Sequence, residues 1–382
     1  MIIGVNARLL LKNKLEGIGW FAHELLKRMV KSHPEHQFVF FFDRPYDDSF
    51  IFGSNVKPVI LKPQARHPVL YWIWTKYALP KALKKHEVDV YFSPDFLGLH
   101  SSKIPSIITL HDLAFLHYPD FIDRAHKWYL KNYTPFYAKH TRKIITVSEF
   151  SKSDILANYD FIPEDHIKVI YNAANKAFKP LSWSEQEAIK KEFTDGQEFY
   201  LFTSAIHPRK NVINLLKAFV KFKRRQQNNF KLVIIGRMAW QSEEIEVAKK
   251  RMPFKEDVIW LDYQPIETVA KLTASAWATI YPSLFEGFGI PIVESYACHK
   301  PVITSNTSSM PEVAGEGGLT IDPNDVDDLA EHMMELYRNE KLHQFLTEKA
   351  KEITKIYNWD NSAQQLMKVI EGVYEDNLNT KK

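Results

Sequence analysis

The chain has 382 residues, more than the roughly 250–300 at which one hydrophobic core usually stops growing, so two domains are expected. Hydrophobic residues make up 45% of it and charged residues 25%, a balance that excludes extensive disorder. Cys298 is the sole cysteine, which excludes an internal disulfide and a thiolate cluster; the net charge of +4 is a Lys and Arg excess before residue 174, without the basic block that nucleic-acid binding needs. Met1 to Arg8 contains no basic leader, and no apolar run approaches a membrane span, so a cytoplasmic chain without signal peptide or bilayer crossing is expected.

Short apolar runs followed by amphipathic stretches repeat along the chain, the pattern of strands and helices alternating around parallel sheets. In the first half, strands are expected at 2–6, 38–42, 88–92, 107–110 and 143–147. Glu16-Gly17-Ile18-Gly19-Trp20 reads as a loop before a helix over 20–31; two glycines without a third make it a weak nucleotide signal. A helix rich in aromatics starts at Pro68. Another, over 121–142, mixes aromatics with Arg124, Lys127, Lys131, Lys139 and Arg142. Their aromatics fit core packing, a carbohydrate site or an anionic membrane surface.

The stretch 171–195 lacks strand character, so residues 174–195 are expected to link a domain at 1–173 to one at 196–357, with a short helix over 182–193. Strands of the second half are expected at 199–203, 230–235, 258–261, 278–281, 301–304 and 318–321. A last helix, about 360–376, follows Tyr357-Asn358-Trp359 and is expected to cross back onto the first domain.

The most informative segment is Tyr281-Pro282-Ser283-Leu284-Phe285-Glu286-Gly287-Phe288-Gly289-Ile290-Pro291-Ile292-Val293-Glu294. It leaves a strand, passes two glycines and enters a helix whose first turn holds Pro291; such a turn directs backbone N–H groups at phosphate or sugar oxygens. Glu286 in the loop and Glu294 on the helix would then reach different parts of one ligand. A structural reading makes the glycines turn residues and Glu294 a complement to the helix dipole. Ser204-Ala205-Ile206-His207-Pro208-Arg209-Lys210-Asn211 also joins a strand to a helix, 212–225. With Asn211 as N-cap, Arg209 and Lys210 stand ahead of the positive helix end and suit a diphosphate; singly, each is equally a solvated charge.

His111 follows the strand 107–110, at the end of parallel strands where ligands bind, and reads either as a site residue or as a hydrogen-bonded structural histidine. Asp325-Val326-Asp327 matches an acid pair that could hold a divalent cation, but its position before a helix over 326–338 reads as N-cap chemistry; no metal is assigned, and Arg209 and Lys210 would do the cation's work.

Together, Gly17-Ile18-Gly19, His111-Asp112-Leu113, Val147-Ser148-Glu149-Phe150-Ser151, Val169-Ile170-Tyr171-Asn172, Pro208-Arg209-Lys210-Asn211 and the run from Glu286 to Glu294 resemble glycosyltransferase family 4 over nearly the whole chain. The resemblance implies an α/β GT-B fold: two Rossmann-like domains facing each other across a cleft, with nucleotide in the second and acceptor mostly in the first. It implies a retaining hexosyltransferase that needs no cofactor beyond its co-substrate, a nucleoside-diphosphate sugar, with GDP-mannose suggested by general likeness. The acceptor would be a carbohydrate or lipid-linked glycan, reached in the cytoplasm or at the inner face of the cell membrane. Glu294 would bind the ribose. Glu286 would lie by the donor sugar with the backbone of Gly287, Phe288 and Gly289, Arg209 and Lys210 would neutralise the departing diphosphate, and His111 would contact the sugar. Gly17, Gly19 and Ser204 would also touch the donor, although relatives often carry glycine where this chain has Ser204-Ala205. A sugar-nucleotide 2-epimerase and a non-catalytic sugar-nucleotide binder are the alternatives.

Overall fold

The computed structural model describes residues 1–12, 15, 17–101, 103–226, 228–238 and 243–380. The chain divides into two compact units, Met1–Asn172 with Trp359–Lys382, and Ala173–Asn358. Among the described residues, no helix is long and apolar enough to cross a membrane.

The first unit is built on seven parallel strands: β1 (Ile2–Asn6), β2 (Gln37–Phe42), β3 (Val56–Ile60), β4 (Val90–Ser93), β5 (Ser106–Thr109), β6 (Lys143–Thr146) and β7 (Ile167–Val169), in the order 3-2-1-4-5-6-7. A sheet covered on both faces needs continuous rather than alternating apolar runs, and the five buried residues Phe38 to Phe42 supply one. Two strands were not expected from the sequence, and both are edges. Pro58 interrupts β3, where a missing N–H is tolerated, and β7 has only three residues. The helix Trp359–Asn379 joins this unit, burying Trp359, Leu366 and Ile370, and Ser362 Oγ donates to the carbonyl of Tyr171 at 2.8 Å. The helix expected from Trp20 begins at Gly17 instead, so Gly17 and Gly19 occupy its first turn and not a loop. A side chain at 19 would put its Cβ 3.1 Å from the Leu9 carbonyl oxygen, a backbone approach sufficient to account for that glycine. Glu16 lies outside the described residues.

The second unit has six parallel strands: β8 (Phe199–Thr203), β9 (Lys231–Ile235), β10 (Val258–Leu261), β11 (Ala278–Tyr281), β12 (Val302–Ser305) and β13 (Gly318–Ile321), in the order 10-9-8-11-12-13. Residues 174–195 are not a free spacer. Phe178 and Leu181 pack with Ala270, Ala274 and Cys298, and the helix Trp183–Thr194 is closed by a capping box between Ser182 and Glu185.

In each sheet the chain reverses its direction of travel once, between β1 and β4 and between β8 and β11. Loops leaving two such neighbouring strands diverge to opposite faces and open a crevice at the strands' carboxyl ends. Gly236, just past β9, lines the approach to the second of these points: a Cβ there would stand 1.8 Å from the carbonyl oxygen of Ser204. We expect Gly236→Ala to force that backbone apart and cost roughly 2–3 kcal/mol, read as a lower urea midpoint. An unchanged midpoint would show that the loop yields freely.

Candidate active site

The second unit's reversal point gathers the residues. The β8 loop closes as a short 3-10 turn, Pro208–Lys210, in which His207 Nδ1 accepts from Arg209 N at 3.2 Å. Asn211 differs from the expected cap: it is left-handed, with φ 60°, and its Nδ2 donates to the carbonyl of Pro323 at 2.6 Å. The β8 and β11 loops are laced together. Leu284 N donates to the carbonyl of Arg209 at 2.8 Å, Ser283 Oγ to the same oxygen at 3.1 Å, and the Arg209 guanidinium to the carbonyl of Phe285.

This lacing brings Glu286 against both cations. Arg209 Nη1 lies 3.0 Å from Glu286 Oε2 and Lys210 Nζ 2.6 Å from Oε1, while Ser283 Oγ donates to the same carboxylate. Lys210 Nζ also donates to the Tyr281 hydroxyl at 2.7 Å. Burial alone would raise the Glu286 pKa, but Arg209 and then Lys210 overcome it and hold the carboxyl at about 2. Below it, Glu286 N donates to Ser308 Oγ at 3.0 Å and Ser309 Oγ to the Glu286 carbonyl at 2.9 Å. Two cations thus share one carboxylate within a frame of hydrogen bonds. Tyr281 and Ser283 complete it and had not been singled out; their signal was position alone, at and just past the end of a strand.

Gly289 has φ 98°, a conformation glycine adopts readily, and turns the chain into the helix Ile290–Ala297, with Pro291 in its first turn. Phe288 is buried edge-on against Tyr357 with ring centroids 5.4 Å apart, so only its backbone is left for a ligand. Glu294, half-buried one turn into this helix, is the opposite of Glu286. Its carboxylate has no hydrogen-bond or ion-pair partner among the described residues, and burial pushes its pKa up to about 8. A buried carboxyl with unfilled acceptor capacity suits a ligand that brings hydroxyl groups.

At the first unit's reversal point the sequence reading had missed a cluster. Arg8, past β1, forms a buried ion pair with Asp95, past β4, and Asn6 Nδ2 donates to Ser93 Oγ and Asp95 Oδ1, each at 3.0 Å. Arg8 lies over the Tyr71 ring, 5.1 Å from its centroid. Nothing but Asn6-Ala7-Arg8 closing the first strand signalled it. His111, one residue past Leu110, donates from Nε2 to the carbonyl of Pro94 at 2.9 Å and meets Phe21 edge-on at 4.8 Å. That bond places the proton on Nε2, and burial lowers the imidazole pKa, so Nδ1 keeps its lone pair as an acceptor.

In the same unit an apolar groove of about 420 Å³ runs between the helices Pro68–Ile73 and Arg124–His140, with Val69, Trp72, Trp128 and Tyr133 among its lining. The core-packing reading holds for Tyr129 and Tyr137, which are buried, but Trp128 is 60% exposed and Val69 58%. Asp325 accepts from the backbone of Asp327 and Asp328 as a helix N-cap, and Asp327 pairs with Lys221, so both carboxylates are engaged.

The chain matches the families described as Glycosyltransferase Family 4 over residues 15–178 and Glycosyl transferases group 1 over residues 184–353. It is 27% identical to an O-antigen chain mannosyltransferase B of Escherichia coli over 366 residues, covering 93% of this chain and 96% of that one. A glycosyltransferase of Methanocaldococcus jannaschii is 30% identical over 271 residues, covering 70% and 68% of the two chains. Among solved structures, a sucrose-phosphate synthase of Thermosynechococcus elongatus superposes with a TM-score of 0.81 at 15% identity, covering 98% and 99%. Anabaena HepE in complex with UDP-glucose gives 0.73 at 16%, covering 97% and 99%. At these identities the structural likeness speaks for the fold.

The two glutamates make opposite demands on pH. Glu286, with its pKa depressed, stabilises the fold above pH 4.5 and loses that contribution as pH falls toward about 2. Glu294, raised from 4.5 to about 8, contributes fully below pH 4.5 and loses its contribution as pH rises through 8. Unfolding of Glu294→Gln beside the parent protein from pH 5 to 9 should show the variant gaining, with a slope of up to about 1.4 kcal/mol per pH unit that levels off near the top of the range. Parallel curves would mean that Glu294 titrates as an exposed carboxyl.

Proposed function

This chain belongs to glycosyltransferase family 4, and from that premise we propose that it transfers mannose from GDP-mannose to a hydroxyl of a glycan, with retention at the anomeric carbon and without a divalent metal. The observation that carries the proposal is the braced cluster of Arg209, Lys210 and Glu286 at the reversal point of the second sheet, with the unfilled carboxyl of Glu294 eight positions on. The curated relatives in Escherichia coli and Salmonella typhimurium named as O-antigen chain mannosyltransferases support mannose and a growing polysaccharide.

As the bond from sugar to diphosphate lengthens, positive charge grows on the anomeric carbon and negative charge on the β-phosphate. Fixed charges stabilise that separation more than the ground state, because they need no reorganisation. Arg209 and Lys210 receive the phosphate charge, helped by the N–H groups at the start of the helix Ile290–Ala297. Glu286 fixes the position of both cations and favours positive charge on the sugar; the backbone of Gly287, Phe288 and Gly289, and Ser204, border the donor. Glu294 accepts hydrogen bonds from the ribose. Retention follows from entry of the acceptor hydroxyl on the face the phosphate leaves.

In the first unit, His111 offers its Nδ1 lone pair to a sugar hydroxyl, with Gly17 allowing close backbone approach. The groove beside Trp128, on a helix that also bears Arg124, Lys127 and Lys131, supports a lipid-linked glycan acceptor at an anionic membrane surface. With its one cysteine buried and free, the chain suits the cytoplasm.

The test combines binding and turnover. Among GDP, UDP, dTDP and ADP, GDP should raise the thermal midpoint most, and at 100 times its Kd add about 2.7 kcal/mol of stability. Mannosyl transfer to mannose-terminated glycans should persist in excess chelator, and the anomeric proton signal of the product should report the configuration of the donor. Preference for UDP would overturn the donor. Complete loss of turnover on chelation, restored by magnesium or manganese, would overturn the assignment of the diphosphate charge to Arg209 and Lys210.

A further inference from the structure

We propose that His33, Glu35 and His36 form a structural zinc site at the amino end of the first sheet, with Glu371 or water in the fourth position. These residues lie between the helix Gly17–Ser32 and β2, at the opposite end of the strands from Asn6 and His111. The site is thus separate from the proposed transfer chemistry and independent of it.

The geometry carries the case. Zinc held tetrahedrally by imidazole and carboxylate at roughly 2.0–2.2 Å requires its ligand atoms to stand about 3.3–3.6 Å apart. Glu35 Oε1 lies 3.2 Å from His33 Nδ1 and 3.7 Å from His36 Nε2, and one ligand atom from each of the three residues lies within 4.8 Å of the other two. Glu371 Oε1, on the helix Trp359–Asn379, is 3.6 Å from the same His36 nitrogen. Small side-chain shifts convert this arrangement into a coordination shell.

A second observation points to a ligand. Both ring nitrogens of His36 are buried and have no hydrogen-bond partner among the described residues, and a buried polar atom left so costs stability. A cation bonded to Nε2 removes that deficit at one nitrogen. The backbone is preset: Asn55 Nδ2 reaches the carbonyls of Val30, His33 and His36 at 3.2, 3.2 and 3.1 Å. Two imidazoles with carboxylate select a borderline transition metal over magnesium or calcium, which prefer all-oxygen shells. By joining the turn before β2 to the helix that closes the first unit, the ion would act as a staple.

The full chain, stripped with chelator and dialysed, should bind one equivalent of Zn²⁺ with Kd below about 1 µM in calorimetric titration, with a raised thermal midpoint. Co²⁺ should give the visible absorption of a tetrahedral centre. His36→Ala should weaken binding by 100-fold or more; since His36 is partly buried, the half-exposed His33→Asn serves as the second variant and should do the same while leaving the far-ultraviolet circular dichroism unchanged. Glu371→Gln should weaken binding about 10-fold if it supplies the fourth ligand, and not at all if water does. Binding no tighter than about 100 µM, or equal binding in the parent, His36→Ala and His33→Asn proteins, would overturn the site and leave a set of ordinary histidine–glutamate contacts.

Discussion

Burying a carboxylate is tolerable only if cations come with it, and in the second unit that requirement organises the site. Glu286 has 7% of its surface exposed, yet stays ionised because Arg209 and Lys210 reach it from the neighbouring strand's loop. Removing either cation would leave a buried charge underpaired; removing Glu286 would leave two cations facing each other. The three residues therefore act as one unit, and hydrogen bonds given by Ser283 and Ser309 and accepted by Ser308 hold that unit in register.

Eight positions separate Glu286 from Glu294, and their environments pull them apart. One is held at about 2 by paired cations, the other pushed to about 8 by burial alone. Identical side chains so divided cannot perform the same task. A permanently charged group suits electrostatic work, and a carboxyl lacking partners suits recognition of hydroxyls. Gly289 makes the division possible, because its left-handed turn lets the chain leave the ion cluster and start a helix within three residues.

Much of this was legible in the sequence, and the failures have physical causes. The strands of the second sheet were readable because most are short, largely apolar and buried; β3 and β7 were not, since an edge strand with Pro58 and a three-residue strand carry little hydrophobic signal. The glycines and Pro291 announced the turn from strand to helix that the structure shows. What no spacing could announce was the contact of Glu286 with Arg209 and Lys210, which are some 76 residues away and meet it only because β8 and β11 are neighbours. The Asn6, Arg8 and Asp95 cluster was hidden for the same reason, across β1 and β4. Asn211 misled because its left-handed backbone turns the side chain to Pro323, a choice that tertiary contact makes and residue type does not.

The central claim is that the ion cluster and Glu294 hold different parts of one donor, and calorimetric titration of Glu286→Gln and Glu294→Gln with GDP at pH 8.5, where Glu294 is largely ionised, tests it most directly. Glu294→Gln exchanges charge-assisted hydrogen bonds for neutral ones and should weaken GDP about 10-fold. Glu286→Gln releases Arg209 and Lys210 from their internal partner, so GDP affinity should hold or increase while mannosyl transfer drops by roughly 100-fold. An equal loss of GDP affinity in both variants, or full transfer by Glu286→Gln, would contradict the account.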